Sequence, residues 1–155
     1  MNRHELNWLR VVDHAAKVFS TCSRRQYAAV VLSPDRRVVG WGYNGSPPGL
    51  AHCVDGACPR ANSNVPHGSP YTPGEGRCIA THAEANALLY SDTSLRRGGT
   101  LIVNGPPCYD CTKLIVSSGI AKVVGLVDIA YDFTPCQELF MAADVYFELG
   151  KREIL

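Results

Sequence analysis

Two short runs, His82-Ala83-Glu84 and Pro107-Cys108-Tyr109-Asp110-Cys111, restrict this chain more than any other feature in it. One imidazole and two thiolates are the donor set of a zinc site that keeps a fourth position open, so the fold has to bring two distant segments onto one ion. Glu84 is a spare carboxylate beside that set. The helical spacing of Ile79, Ala83, Ala87 and Leu88 predicts a helix over residues 79–89, with His82 and Glu84 in its first turns. Two positions apart, they point in different directions, which suits a ligand beside a non-ligand. Pro107 leads into a second helix over residues 109–118, closed by Gly119. Cys108 and Cys111 then sit at a helix N-terminus, where the macrodipole and unpaired amides favour thiolates.

Neither run is diagnostic alone. A single histidine near an apolar face is usually structural or exposed, and a C-x-x-C pair can be a redox centre or half of a structural zinc site. Taken in order, H-x-E ahead of P-C-x-x-C with a strand-like stretch over residues 100–104 before the cysteines, they point to water activated at zinc beside a proton-shuttling carboxylate. That is the chemistry of nucleobase deamination by hydrolysis. His82, Cys108 and Cys111 are the candidate ligands of the catalytic zinc. Glu84 is the candidate catalytic group, taking a proton from the attacking water and passing it to the departing amine.

The rest of the chain supplies a frame for such a site. Asn2 with Glu5 reads as a capping box, and Leu6, Leu9, Val12, Ala16 and Phe19 follow at helical spacing. Residues 27–32 and 37–42 read as a hairpin around Ser33-Pro-Asp-Arg36. Beyond the helix at 79–89 come the strand at 100–104, the helix at 109–118, a strand at 122–127, a helix from Thr134-Pro135 and an edge strand at 145–148. The expected class is α/β, a single mixed five-stranded sheet flanked by helices, forming one domain over residues 1–155. At 46% apolar, 155 residues can bury a real core. A net charge of +1 gives little reason to bind polymeric nucleic acid, although an Arg24-Arg25 pair is enough for one phosphate. There is no apolar leader and no membrane-length stretch, so the expectation is a cytoplasmic protein without a membrane partner.

Trp41-Gly-Tyr-Asn-Gly-Ser-Pro-Pro-Gly49, His82-Ala-Glu-Ala-Asn-Ala-Leu88 and Pro107-Cys-Tyr-Asp-Cys111 resemble the deoxycytidylate (dCMP) deaminase family of the cytidine deaminase superfamily, over about residues 20–127. The resemblance implies a three-layer α/β/α fold and zinc-dependent conversion of dCMP to dUMP with release of ammonia. It also implies Asn44 as a contact to sugar or base, the Ala83 amide as a donor to pyrimidine O2, and Tyr131 as an aromatic wall. Arg24 or Arg25 would help with charge near the pocket. Family members are commonly hexameric and answer to dCTP and dTTP, with Mg2+ accompanying such a nucleotide.

Members with a second, structural zinc imply a use for the Gly/Pro-rich segment over residues 45–78. Little hydrophobic periodicity supports residues 45–76, so Cys22, Cys53, Cys58 and Cys78 are expected to form a closed four-thiolate site, with His52 and His67 as alternative donors. The other reading is that these cysteines are small buried hydrophobes. Cys136 is then left over as a packed residue of the last helix.

Two departures from the family pattern widen the substrate question. Tyr27-Ala-Ala-Val30 stands for the usual Val-Gly-Ala-Val, and Asn104-Gly-Pro-Pro-Cys108 for Thr-Leu-Ser-Pro-Cys. Tyr27, Ala28 and Asn104 are expected to add bulk and hydrogen-bonding groups to the pocket, which admits a 5-substituted dCMP, a nucleoside or another nucleobase. Pro106 keeps its carbonyl for the leaving amine. A noncatalytic nucleotide-binding zinc protein is the reading from a different class, and it has no need of Glu84.

Overall fold

Asn2 opens the first helix as its sequence specifies. Its Oδ1 accepts from the Glu5 amide at 3.0 Å while Glu5 Oε2 accepts from the Asn2 amide at 2.8 Å, a reciprocal cap that fixes the start of α1 (Arg3–Phe19). The computed structural model describes residues 1–66, 69, 71, 74 and 76–155. Leu9, Val12, Ala15 and Ala16 are the buried stripe of α1, which packs on one face of a five-stranded sheet.

The sheet comprises β1 (Ala28–Leu32), β2 (Val38–Tyr43), β3 (Thr100–Val103), β4 (Lys122–Leu126) and β5 (Tyr146–Gly150), in the order β2-β1-β3-β4-β5. β1 is antiparallel to both β2 and β3, whereas β3, β4 and β5 run parallel. Every residue of β1 is buried, because both faces are covered. Ala28, Val30 and Leu32 face α1; Ala29 and Val31 face the layer of α2 (Ala83–Leu89), α4 (Tyr109–Ser117) and α5 (Thr134–Ala142). A single-turn α3 (Thr93–Arg96), capped by Asp92 Oδ1 on the Ser94 and Leu95 amides, links α2 to β3; no apolar periodicity announces it. The mixed sheet between helical layers is the expected architecture, and β5 is its expected edge. Among the described residues no helix is long and apolar enough to cross a membrane.

The helix expected over 79–89 begins only at Ala83. Thr81 and Gly45 exchange backbone hydrogen bonds of 2.9 and 3.2 Å, so the approach to the helix is extended, and His82 is the N-cap at φ −70°, ψ 155°. Apolar spacing cannot register a bridge to a residue so far back in the chain. α2 lies directly on β2 because Gly40 and Gly42 present no side chain: a Cβ on Gly42 would stand 2.3 Å from Ala87 N and 2.5 Å from Ala83 O.

Arginines organise much of the segment after β2. Arg24 donates to the carbonyls of Arg60 (3.1 Å) and Val65 (3.4 Å), and the buried Arg60 donates to those of Ser69 (2.6 Å) and Gly76 (3.0 Å). His67 lies outside the described residues.

Candidate metal centre and substrate pocket

Two helix starts meet at the floor of a cavity. His82 precedes the first turn of α2, and Cys108 is the N-cap of α4 with Cys111 three residues on, so both sets of donors stand where backbone amides have no side-chain cap. His82 Nδ1 is 3.3 Å from Cys108 Sγ and 3.5 Å from Cys111 Sγ, and all three donor atoms lie within 4.8 Å of one another. Tetrahedral Zn2+ with bonds of about 2.0–2.3 Å sets its donors roughly 3.5 Å apart, so this set fits that ion.

The protons of the metal-free cluster are distributed accordingly. Its bond with Cys111 pulls Cys108 down to about 4, while Cys111, bonded to Cys108 and buried, is raised; the pair shares one proton. Burial opposes charge on His82, but its bonds to Cys108 and Cys78 carry it to about 11. Ligation needs a neutral imidazole and thiolates, so metal uptake at this site is linked to proton release.

Glu84 is 2% exposed on the first turn of α2, and its Oε2 has no protein partner. Burial raises its carboxyl to about 7, although the neighbouring His82 charge opposes this. A buried polar atom without a partner, aimed at a metal-binding cluster, is a place for a substrate or water proton.

Arg24, Arg25, Tyr27, Asn44, Pro106, Asp128 and Tyr131 are among the residues that line the cavity over this cluster. Arg25 pairs with Asp128 at 2.9 Å, and Arg24 also braces residues 60–65. Tyr131 reaches Cys136 Sγ at 3.8 Å. Ala83, between the lining residues His82 and Glu84, is fully buried at the start of α2 and does not itself line the cavity. Asn44 lines the cavity, yet most of its amide serves the protein. Its Oδ1 accepts from Tyr27 N (2.9 Å) and from Ser20 Oγ, and its Nδ2 donates to Arg25 O (2.7 Å).

Two expectations need correction. Asn104 adds nothing to this cavity: its side chain is spent on Ala28 N (2.9 Å), Gln26 O (3.1 Å) and Asp13 Oδ1 (3.3 Å), just past the end of the central strand β3. Ala28 is fully buried under α1, since strand alternation turns it away from the site. Among the described residues the His82 set is the only group of three or more donors with all ligand atoms within 4.8 Å of one another. Cys53 is raised by burial and by its neighbours Cys58 and Cys22, so three of the four cysteines expected at a second zinc share a neighbourhood. Cys78, on the extended approach to His82, turns to that imidazole instead, and the contact holds its thiol low despite burial. Cys136 is buried on α5 and donates to Pro107 O at 3.5 Å.

Sequence reasoning missed Tyr71 and Arg60. The Tyr71 ring meets His82 edge-on at 4.8 Å, and the Arg60 guanidinium lies 4.6 Å from the Tyr71 centroid. Both come from the irregular segment, where spacing carries no signal.

Residues 1–127 match the family of the cytidine and deoxycytidylate deaminase zinc-binding region. The chain is 52% identical over 111 residues to the deoxycytidylate deaminase of Mycobacterium phage D29, covering 71% of this chain and 84% of that protein. It is 36% identical over 110 residues to the deoxycytidylate deaminase of Saccharomyces cerevisiae, covering 68% of this chain but only 32% of the longer yeast protein. Its fold is similar to that of the dCMP deaminase from cyanophage S-TIM5 solved with dCMP and dUMP, at a TM-score of 0.71, 21% identity, and coverage of 97% of this chain and 99% of that one.

Proposed function

The chain belongs to the cytidine and deoxycytidylate deaminase family, and we propose that it is a zinc-dependent enzyme converting dCMP and water into dUMP and ammonia. The observation that carries the reading is the unpartnered Oε2 of buried Glu84 beside the converging donors of His82, Cys108 and Cys111. A structural zinc site would bury no such carboxylate.

His82, Cys108 and Cys111 would hold Zn2+, which would supply a Lewis acid able to bring the pKa of water toward neutrality. Glu84 takes a proton from the water that adds to C4 and delivers it to N3 or to the departing amine, a role suited to a carboxyl near 7. The Ala83 amide and the remaining Asn44 hydrogen orient the base, the Pro106 carbonyl accepts from the amine, and Tyr131 closes one wall. Arg24 and Arg25 among the lining residues attract the 5′-phosphate, which favours a monophosphate over a free nucleoside.

Ammonia release from dCMP, CMP, deoxycytidine and dGMP tests the reading. Turnover is expected to be highest with dCMP, to stop on removal of zinc by a chelator and to return when zinc is restored. Preference for deoxycytidine or dGMP, or activity indifferent to chelation, rejects it. A second Zn2+ on Cys22, Cys53 and Cys58, with Cys78 as fourth donor after leaving His82, is a separate proposal supported by the shared neighbourhood of the first three. Metal analysis decides it: two zinc ions per chain are expected, and a reproducible one removes the second site.

A further inference from the structure

A metal ligand at a helix N-cap needs something to hold its ring. His82 makes no side-chain capping bond, and torsion about the Cβ–Cγ bond of an imidazole is broad, so the helix alone does not aim Nδ1 at Cys108 and Cys111. Cys78 touches the ring from the extended approach to the same helix. Tyr71 reaches it from the irregular segment. The two rings lie edge-on, with centroids 4.8 Å apart and planes at 83°, within the range of a direct aromatic pair.

Tyr71 belongs to no helix or strand and is 41% exposed, so its own place has to be fixed from outside. Arg60 does this. Its side chain is buried, its guanidinium lies 4.6 Å from the Tyr71 centroid, and its two terminal nitrogens donate to the carbonyls of Ser69 (2.6 Å) and Gly76 (3.0 Å), which flank Tyr71 in the sequence. A planar guanidinium can stack through its face and donate in its plane at once, which an ammonium cannot. Arg60, Tyr71 and His82 therefore form a chain of contacts that runs from the segment between β2 and α2 into the metal centre. We propose that Tyr71, clamped by Arg60, is a positioning residue that holds the His82 imidazole in its ligating orientation and slows the loss of metal. The inference rests on the reading of His82, Cys108 and Cys111 as zinc ligands, and it adds a residue that acts through one of them.

The test follows the zinc that Cys108→Ala removes, read as its rate of release to a chromophoric chelator, together with the visible d–d bands of Co2+-loaded protein. The proteins compared are the wild type, Tyr71→Phe, Tyr71→Leu, Arg60→Met and the double variant of Arg60→Met with Tyr71→Leu. Groups that orient a metal ligand are worth roughly tenfold in metal affinity at the low end, so Tyr71→Leu is expected to release zinc about tenfold faster and to alter the Co2+ bands. Tyr71→Phe keeps the ring and is expected to match the wild type in both. Arg60→Met is expected to fall between the wild type and Tyr71→Leu, and the double variant to be no faster than Tyr71→Leu, since Arg60 acts through Tyr71. Unchanged release and bands in Tyr71→Leu overturn the inference, and so does a Tyr71→Phe protein as impaired as Tyr71→Leu, because the effect would then belong to the hydroxyl. A raised KM for dCMP with unchanged zinc release makes Tyr71 a substrate contact and overturns it as well. Additive effects in the double variant refute the clamp by Arg60; should Arg60→Met fail to fold, the two Tyr71 variants decide. A wild type from which Cys108→Ala removes no zinc refutes the metal centre itself, and the positioning role falls with it.

Discussion

Glu84 shows how much a single side chain can carry once its surroundings are fixed. Its neighbours on α2 are apolar, one carboxylate oxygen is unpartnered, and burial holds its carboxyl near 7. Glu84→Gln is expected to retain zinc and lose roughly 10²–10⁴ in kcat, the range for a displaced proton shuttle, whereas Cys108→Ala loses the metal. Metal content and ammonia release on the two variants check this, and an active Glu84→Gln protein would sink the assignment. These residues were legible because each ligand set is local in sequence and its chemistry is fixed by residue type. Asn104 was not. It reads as an amide facing a ligand, but an asparagine has as many uses as neighbours, and its partners are the Ala28 amide, the Gln26 carbonyl and the Asp13 carboxylate, all far away in the chain.

Elements were legible where the local pattern and the tertiary contacts agree. The Asn2 cap, the hairpin and the close of α4 at Gly119 (φ +80°) follow from turn and cap chemistry that acts within a few residues. The start of α2 does not, since the Gly45–Thr81 bridge sets it. α2 also depends on what β2 lacks. Gly42→Ala would force a methyl group into Ala83 O and Ala87 N, backbone atoms of the helix that carries Glu84. It is expected to cost about 1–3 kcal/mol, as overpacking does, and to depress kcat out of proportion to stability because the helix shifts relative to α4. Denaturant midpoints with kcat on the same preparation measure both effects, and normal values of each would show that α2 is free to give way.

Across the whole molecule, Asp13 on α1 is the point where remote segments meet. It accepts from Lys17 (2.8 Å), Arg152 (2.7 Å) and Asn104 (3.3 Å), and although burial opposes ionisation, these partners hold its carboxyl below the usual range. A lowered folded-state value means stability that is fully present above the unfolded value, about 3.9, and lost as pH falls through the folded one. The stability gap between wild type and Asp13→Asn is therefore expected to be full at about pH 6 and to close toward about pH 3, as urea titrations at the two values would read. A gap that stayed constant would mean that Asp13 contributes shape and not charge. The same junction bears on the order in which the chain assembles. Asp13 and Arg152 are 139 residues apart, and Glu5 and Lys122, joined at 2.7 Å, are 117 apart. Contacts across such spans close the largest loops and come after the hairpin and the parallel strands have paired. Arg152→Ala should accordingly leave the refolding limb of the chevron almost unmoved and steepen the loss of the native state on the unfolding limb, making Arg152 a latch on how long the folded enzyme lasts rather than on how fast it forms.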